Sequence, residues 1–121
     1  MQLIGTVVPG KGQARTIGYP TANIAYSGAQ APDAGVWTCT VELPDETKNA
    51  LAIVGMWQQP DGLPSLEVYL LDFDRDLYGA QLRVELLTKM RELKKFTDTQ
   101  ALVRQIERDV AAARISFTDK N

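Results

Sequence analysis

Alternation of apolar and polar residues runs through this chain as far as about Leu87, and helical periodicity begins only after Phe96. Side chains that alternate in this way point to opposite faces of a β-strand. The pattern is carried by six short segments with no helical segment between them, at residues 2–8, 21–25, 35–43, 50–56, 65–72 and 81–87. Strands that follow one another without helices predict an antiparallel barrel or sandwich.

The last patterned segment predicts an amphipathic helix. Its apolar stripe has spacings of four, four and three and consists of Leu102, Ile106, Val110 and Ala113. Thr97 and Gln100 have the spacing of a capping box, and Asp98 suits the positive end of the helix dipole. We expect the stripe to pack on the barrel and the opposite, charged face to be solvated, with Arg104, Glu107, Arg108 and Arg114 on it.

Composition excludes several classes of function. The 121 residues, 45% of them hydrophobic, suffice for one core, so we expect a single domain over residues 1–121. The chain has no histidine, which excludes a Ser-His-Asp triad, a Cys-His pair and a histidine-based metal site. A net charge of −2 argues against nucleic acid as a general partner. The single cysteine, Cys39, is expected to be a buried, unreactive thiol in the third strand.

The apolar runs also bear on location. None approaches the roughly 20 residues that cross a bilayer, and the first residues lack the basic and then apolar pattern of a signal segment. We therefore expect a cytoplasmic protein with no membrane partner, acting as a monomer.

A glycine-rich, basic loop precedes the second predicted strand. It contains Gly10, Lys11, Gly12, Arg15 and Gly18. Free backbone N–H groups and two cationic side chains in such a loop can cradle a polyphosphate. The loop is neither a P-loop nor a dinucleotide fingerprint, and a glycine-rich surface turn has the same composition.

Two polar side chains follow this loop at a spacing of two residues. Pro20 fixes the backbone ahead of Thr21, and Thr21 and Asn23 project to the same side of an extended segment. They offer two neutral oxygen atoms to one cation, and Mg²⁺ in nucleotide sites takes few protein ligands beside phosphate oxygens and water. A local turn closed by the threonine and asparagine side chains is the structural alternative.

One carboxylate, Glu67, lies within an otherwise apolar strand segment. A carboxylate in apolar surroundings is unfavourable unless it is paired or used, and transfer of a phosphoryl group to an alcohol needs a group that accepts the hydroxyl proton. Alternation places Glu67 on the same face as Tyr69. If that face points into the mouth of the barrel, desolvation raises the pKa of Glu67. The alternative is an outward-facing glutamate beside an exposed tyrosine.

Together these motifs resemble riboflavin kinases, which phosphorylate the ribityl chain of riboflavin to give FMN. In that family a basic glycine-rich loop leads into Gly-Phe/Tyr-Pro-Thr-Ala-Asn, and a glutamate in Glu-Val-His-Leu-Leu-Asp-Phe is the proposed base. Residues 18–23 here read Gly-Tyr-Pro-Thr-Ala-Asn, and residues 67–73 read Glu-Val-Tyr-Leu-Leu-Asp-Phe. The resemblance implies that Glu67 is the base and that Thr21 and Asn23 bind the Mg²⁺ of ATP. It implies nucleotide binding for the residues around them, Gly10, Lys11, Gly12, Arg15, Gly18 and Pro20.

The resemblance extends to the C-terminal third of the chain, through Leu77-Tyr78-Gly79, residues 91–96 and Asp109. It implies a mainly β fold, a six-stranded Greek-key antiparallel barrel with a C-terminal α-helix. Flavin in this family lies between the barrel and the segment before that helix. Riboflavin or FMN is therefore the implied partner, beside ATP or ADP, and the implied flavin contacts are Arg91, Leu93 and Phe96.

Residues 53–60 depart from the family pattern, which has an Asn-Ile-Gly turn followed by Pro-Thr-Phe. This chain reads Ile-Val-Gly-Met-Trp-Gln-Gln-Pro instead. We expect Trp57 to lie in this loop, either beside the flavin ring or folded back onto the barrel edge. The altered turn also keeps a second hypothesis open, a catalytically silent relative that binds a flavin or nucleotide as a sensor or interaction module.

Overall fold

The computed structural model describes residues 1–9, 21–27, 30–73 and 75–118. Within them the chain forms six strands and one helix, namely β1 (Gln2–Val8), β2 (Ala22–Tyr26), β3 (Gly35–Glu42), β4 (Thr47–Gln58), β5 (Pro64–Leu70), β6 (Gln81–Arg91) and α1 (Thr99–Thr118). Over the same residues, no helix is long and apolar enough to cross a membrane.

The six strands close into one antiparallel barrel in the order β1-β2-β5-β4-β3-β6. Strands β3, β4 and β5 follow one another as hairpins, and β6 returns to pair with β3. This is the Greek-key arrangement. β1 then pairs with both β2 and β6 and closes the barrel. The predicted mainly β barrel with a C-terminal helix is confirmed.

Alternate side chains of the strands fill the barrel. Core positions include Leu3, Ile24, Val68 and Val84. Cys39 also lies in this core with none of its surface exposed, and burial raises the pKa of its thiol to about 12, which confirms the predicted buried, unreactive cysteine. The interior is therefore a packed apolar core, and any binding site lies on the outer face or at the rim of the barrel.

Helix α1 covers part of the outer face. Val36 and Leu51 of the barrel form a second apolar cluster with Ala113 of the helix, and Tyr69 and Val110 pack against it. The helix buries a line formed by Gln105, Asp109 and Ala113, whereas Leu102, Ile106 and Val110 are half-buried. The predicted stripe therefore lies beside the most buried line of the helix. Two members of that line are polar, and they can be buried because Asp109 is hydrogen-bonded to Arg91 and to Gln105.

The beginning of the helix is capped differently from the prediction. Asp98 Oδ1 accepts a hydrogen bond from the backbone N–H of Ala101 at 2.7 Å, which makes Asp98 the N-cap. The predicted capping box, beginning at Thr97, is one residue too early. The opposite face is exposed as expected, although Arg114 is paired with Asp72.

Two strands extend further than predicted. β4 begins at Thr47, because its first residues pair with the end of β3, and it ends at Gln58, which pairs with Pro64. β6 continues to Arg91, which pairs with Val36 beyond two register irregularities. These extensions place Trp57 within a strand, not in a loop, and Arg91 at the end of one.

Candidate active site

Thr21 and Glu67 form the centre of the site. Thr21 directly precedes β2, and Asn23 in that strand is the register partner of Glu67 in β5. This pairing brings Thr21 Oγ1 within reach of Glu67, to whose Oε1 it donates a hydrogen bond at 3.0 Å. The two residues are 46 positions apart in the chain, and the antiparallel pairing of β2 with β5 joins them.

Glu67 lies on the outer face of the barrel. Its neighbours Leu66 and Val68 belong to the interior core, so Glu67 and Tyr69 point outward by alternation. Of the two orientations that the sequence left open for Glu67, the structure has the outward-facing one. Glu67 is nevertheless desolvated, because the segment before α1 and the helix itself lie over this face. Burial raises the pKa of Glu67, and the hydrogen bond from Thr21 partly offsets this rise.

Asn23 has an unsatisfied oxygen beside this pair. The side chain is 8% exposed, and its Oδ1 is buried with no hydrogen-bond partner among the described residues. A buried carbonyl oxygen without a partner is unfavourable, so its position favours a ligand that it can contact. Thr21 and Asn23 lie two apart on one face, opposite Ala22 and Ile24 in the core, which fits the predicted pair of oxygen ligands for Mg²⁺.

A cavity of about 540 Å³ opens over Glu67, between the outer face of the barrel and the segment that leads into α1. Thr21 and Glu67 form part of its wall. The rest of the barrel and helix walls is mostly apolar, with Val36, Leu51, Ile53, Met56, Leu102 and Ile106. The predicted flavin residues Arg91, Leu93 and Phe96 all line this cavity, next to Lys94 and Lys95.

A second cavity, of about 320 Å³, lies on the other side of Thr21. Its described walls are Val7, Thr21, Ala22, Val68, Leu70, Phe73, Arg75, Asp76, Leu77 and Tyr78. The sequence identified Leu77 and Tyr78 only as a family match, with no role attached. Thr21 lines both cavities and is the described wall residue that they share.

Trp57 is not brought together with the other predicted flavin residues. It lines a third cavity, of about 320 Å³, with Asn23, Ala25 and Ser65 among its walls. Its backbone N–H donates to Ser65 Oγ at 3.0 Å. The preceding residue, Met56, is the one that lines the large cavity.

The loop predicted to bind nucleotide lies outside the described residues. This applies to Gly10, Lys11, Gly12, Arg15, Gly18 and Pro20. Thr21 and Asn23 are the predicted nucleotide-binding residues that the structure describes.

Sequence reasoning missed a polar network on the far wall of the large cavity. Asp109 of α1 accepts two hydrogen bonds from Arg91 and one from Gln105. The sequence identified Asp109 only as a match to the family, with no role attached. Its helical spacing of four from Gln105 was the available signal.

Comparison with known proteins agrees with the fold. The flavokinase family model, described as riboflavin kinase, matches residues 1–117. The bifunctional riboflavin kinase/FMN adenylyltransferase of Bacillus subtilis is 34% identical over 120 residues, which are 95% of this chain and 38% of that protein. The chain thus spans little more than a third of the length of the curated relatives it matches.

Two solved structures resemble the barrel. Riboflavin kinase from Trypanosoma brucei superposes with a TM-score of 0.69 at 28% identity, over 98% of this chain and 80% of that one. A Streptococcus pneumoniae structure described as a macrolide-efflux protein has a TM-score of 0.86 at 36% identity, over 93% of this chain and 38% of that one. With the family model matched across the barrel and most of the helix, the chain belongs to the riboflavin kinase family.

Proposed function

We propose that this domain transfers the γ-phosphoryl group of ATP to the terminal hydroxyl of the ribityl chain of riboflavin, giving FMN and ADP. The observation that carries the proposal is the hydrogen bond from Thr21, a wall residue of both cavities, to Glu67. Phosphoryl transfer needs an alcohol and a nucleotide to approach one point from two sides, with a proton acceptor at that point.

The two cavities suit the two substrates. The larger one, at about 540 Å³, is within the range of small-molecule sites, and its apolar walls suit a flat ring system such as isoalloxazine. Its opening toward Glu67 leaves the ribityl chain directed at the carboxylate. The smaller cavity, on the other side of Thr21, is assigned to the nucleotide, together with the basic loop of residues 10–18 that the family resemblance implies.

Glu67 acts as the base. Its carboxylate accepts the proton of the ribityl hydroxyl as the oxygen bonds to the γ-phosphorus, while the bond from that phosphorus to the β,γ-bridging oxygen breaks and ADP leaves. Desolvation raises the pKa of Glu67, which increases its affinity for the proton it must take. Thr21 holds Oε1, so the other carboxylate oxygen is left for the substrate.

Thr21 and Asn23 are assigned to the cation. A hydroxyl has one proton and two lone pairs, so Thr21 can donate to Glu67 and still offer oxygen to a metal ion. The Oδ1 of Asn23, which has no hydrogen-bond partner among the described residues, supplies the second oxygen. Mg²⁺ bound there would neutralise charge on the ATP phosphates and take its remaining ligands from phosphate oxygens and water.

The test is to incubate the pure protein with riboflavin and Mg-ATP and to separate FMN by chromatography. Glu67→Gln should bind riboflavin as wild type does and lose about 10²–10⁴-fold in turnover. Glu42→Gln, at an exposed glutamate of β3, is the matched control and should keep its turnover.

Two outcomes would contradict the proposal. Riboflavin binding without FMN formation by wild type would favour the silent binding module. A loss smaller than about tenfold in Glu67→Gln would remove the role of the base, since general-base catalysis contributes more than that.

A further inference from the structure

Asp109 is a buried acidic residue of α1 with three hydrogen bonds. It accepts from Arg91 Nε at 2.9 Å and from Arg91 Nη2 at 2.6 Å, which is a bidentate pair. Gln105 Nε2 donates to the same carboxylate at 2.9 Å. The Asp109 side chain is 8% exposed and that of Arg91 is 19% exposed, so the pair is largely shielded from solvent.

The network continues into the segment before the helix. Lys94 Nζ donates to Gln105 Oε1 at 3.2 Å, and Arg91 Nη1 donates to the backbone carbonyl of Glu92 at 2.9 Å. The carboxylate of Asp109 is thus connected to the end of β6, to the segment of residues 92–98 and to α1. We call residues 92–98 the cap segment, because residues 93–98 form one wall of the large cavity.

Members of this network line the cavity themselves. Arg91, Lys94 and Asp109 are wall residues, so any change in their positions alters the shape of the site. The guanidinium of Arg91 donates to two carboxylate oxygens and one carbonyl oxygen, so it is not free to reorient toward a ligand. Its main contribution is then to fix the wall, and the residue that fixes Arg91 is Asp109.

We propose that Asp109 is a positioning residue for the flavin site. It acts through Arg91 and through Gln105 and Lys94, and it holds the cap segment at the distance from the barrel that a flavin ring requires. The inference rests on the proposed function, because it names riboflavin as the occupant of the large cavity.

The chain offers a matched control on the same helix. Asp72, in the turn after β5, accepts two hydrogen bonds from Arg114 of α1 at 3.0 and 3.1 Å. This pair has the same chemistry and also ties the helix to the barrel. It is exposed, with 69% of the Asp72 side chain accessible, and neither partner lines the large cavity.

The experiment is an equilibrium titration of the full chain with riboflavin, followed by the quenching of flavin emission and needing no turnover. Asp109→Asn should raise the Kd for riboflavin about tenfold or more, because a displaced wall misplaces the ring. Asp72→Asn should change it by less than about twofold. Asp109→Glu, which keeps the charge, should recover part of the affinity, and calorimetric binding of Mg-ATP should be unchanged in all three variants.

The outcomes separate this inference from the proposed function. Wild-type affinity for riboflavin in Asp109→Asn would overturn the positioning role and leave the kinase proposal intact. An equal loss of riboflavin affinity in Asp72→Asn would show that both carboxylates only dock the helix, and this would also overturn the positioning role. A wild-type chain that binds no riboflavin would overturn both proposals. If circular dichroism shows that Asp109→Asn is unfolded, Lys94→Met at an exposed position decides, and an unchanged Kd in that variant overturns the inference.

Discussion

Asn23 and Glu67 are register partners on β2 and β5, yet their side chains have opposite hydrogen-bonding states. Glu67 accepts a hydrogen bond from the hydroxyl of Thr21, whereas Asn23 Oδ1 is buried without a partner among the described residues. The same strand pair therefore provides an oriented carboxylate and an unsatisfied oxygen at one level of the barrel. We expect the two residues to serve different steps, binding for Asn23 and proton transfer for Glu67.

Replacing either proposed cation ligand should weaken binding of Mg-ATP. Thr21→Val and Asn23→Ala each remove one oxygen, and we expect affinity to fall by at least about tenfold. Asn23→Ala should barely change thermal stability, because its Oδ1 has no hydrogen-bond partner among the residues that the structure describes. Titration calorimetry with nucleotide and Mg²⁺ measures the affinity, and Thr6→Val, at an exposed threonine of β1, is the control. Wild-type affinity in both variants would remove the metal role.

Glu67→Gln should make the fold more stable at neutral pH. Burial raises the pKa of Glu67 in the folded state above its ordinary value of 4.5, so between these values the folded state binds more protons than the unfolded state. Wild-type stability therefore falls as pH rises through this interval. Glutamine does not titrate, and its amide oxygen can still accept from Thr21.

The stability gap between Glu67→Gln and wild type should thus be small near pH 4 and largest at pH 7. Urea denaturation at a series of pH values measures it. Glu42→Gln controls for the loss of a strand glutamate as such. A gap that stays constant with pH, or one that shrinks toward neutrality, would show that Glu67 is not desolvated in the folded protein.

Trp57→Phe should leave riboflavin binding nearly unchanged. Trp57 lines the cavity beside Asn23 and Ser65, while Met56 lines the large one. We expect the Kd from flavin emission to change by less than about twofold, as for a side chain outside the binding site. Trp37→Phe controls for the loss of an indole from the barrel. A clear loss of affinity in Trp57→Phe alone would restore the contact with the flavin ring that the sequence suggested.

Gly55→Ala should destabilise the barrel more than Gly62→Ala does. Both glycines have positive φ, +94° and +90°, so alanine at either position costs about 1 kcal/mol in backbone strain. A Cβ at Gly55 would also lie 2.7 Å from the Cβ of Ala34, whereas a Cβ at Gly62 would meet nothing within 4 Å. Overpacking adds roughly 1–3 kcal/mol. Equal losses in the two variants, measured by urea denaturation, would mean that Ala34 moves aside freely.

Local patterning predicted the strands best where alternation alone decides burial. β1 has the predicted bounds, Gln2–Val8, and its buried positions alternate throughout. The first residues of β4 are polar and give no alternating signal, and they are strand because β3 lies beside them. Arg91 is likewise held in β6 by its pairing with Val36. Where a strand end is determined by pairing with a distant segment, local periodicity does not predict its position.

The site was predictable in its residue types but not in its surroundings. Alternation correctly placed Glu67 and Tyr69 on one face, yet it cannot tell which face is inside when a helix covers the outer one. The contact of Thr21 with Glu67 depends on the pairing of β2 with β5, and local alternation does not predict which strands pair. The burial of Asp109 was not predictable from local sequence either, because it depends on the ion pair with Arg91, which is distant in the chain.

Closure of the barrel by β1 and β6 has a consequence for folding during synthesis. Gln2 of β1 is the register partner of Glu85 of β6, and β1 finds its second neighbour only when β6 is complete. Contacts of such long range slow folding, because the entropy of closing the loop must be lost before the strands pair. On the ribosome the first strand therefore waits for almost the whole domain to emerge.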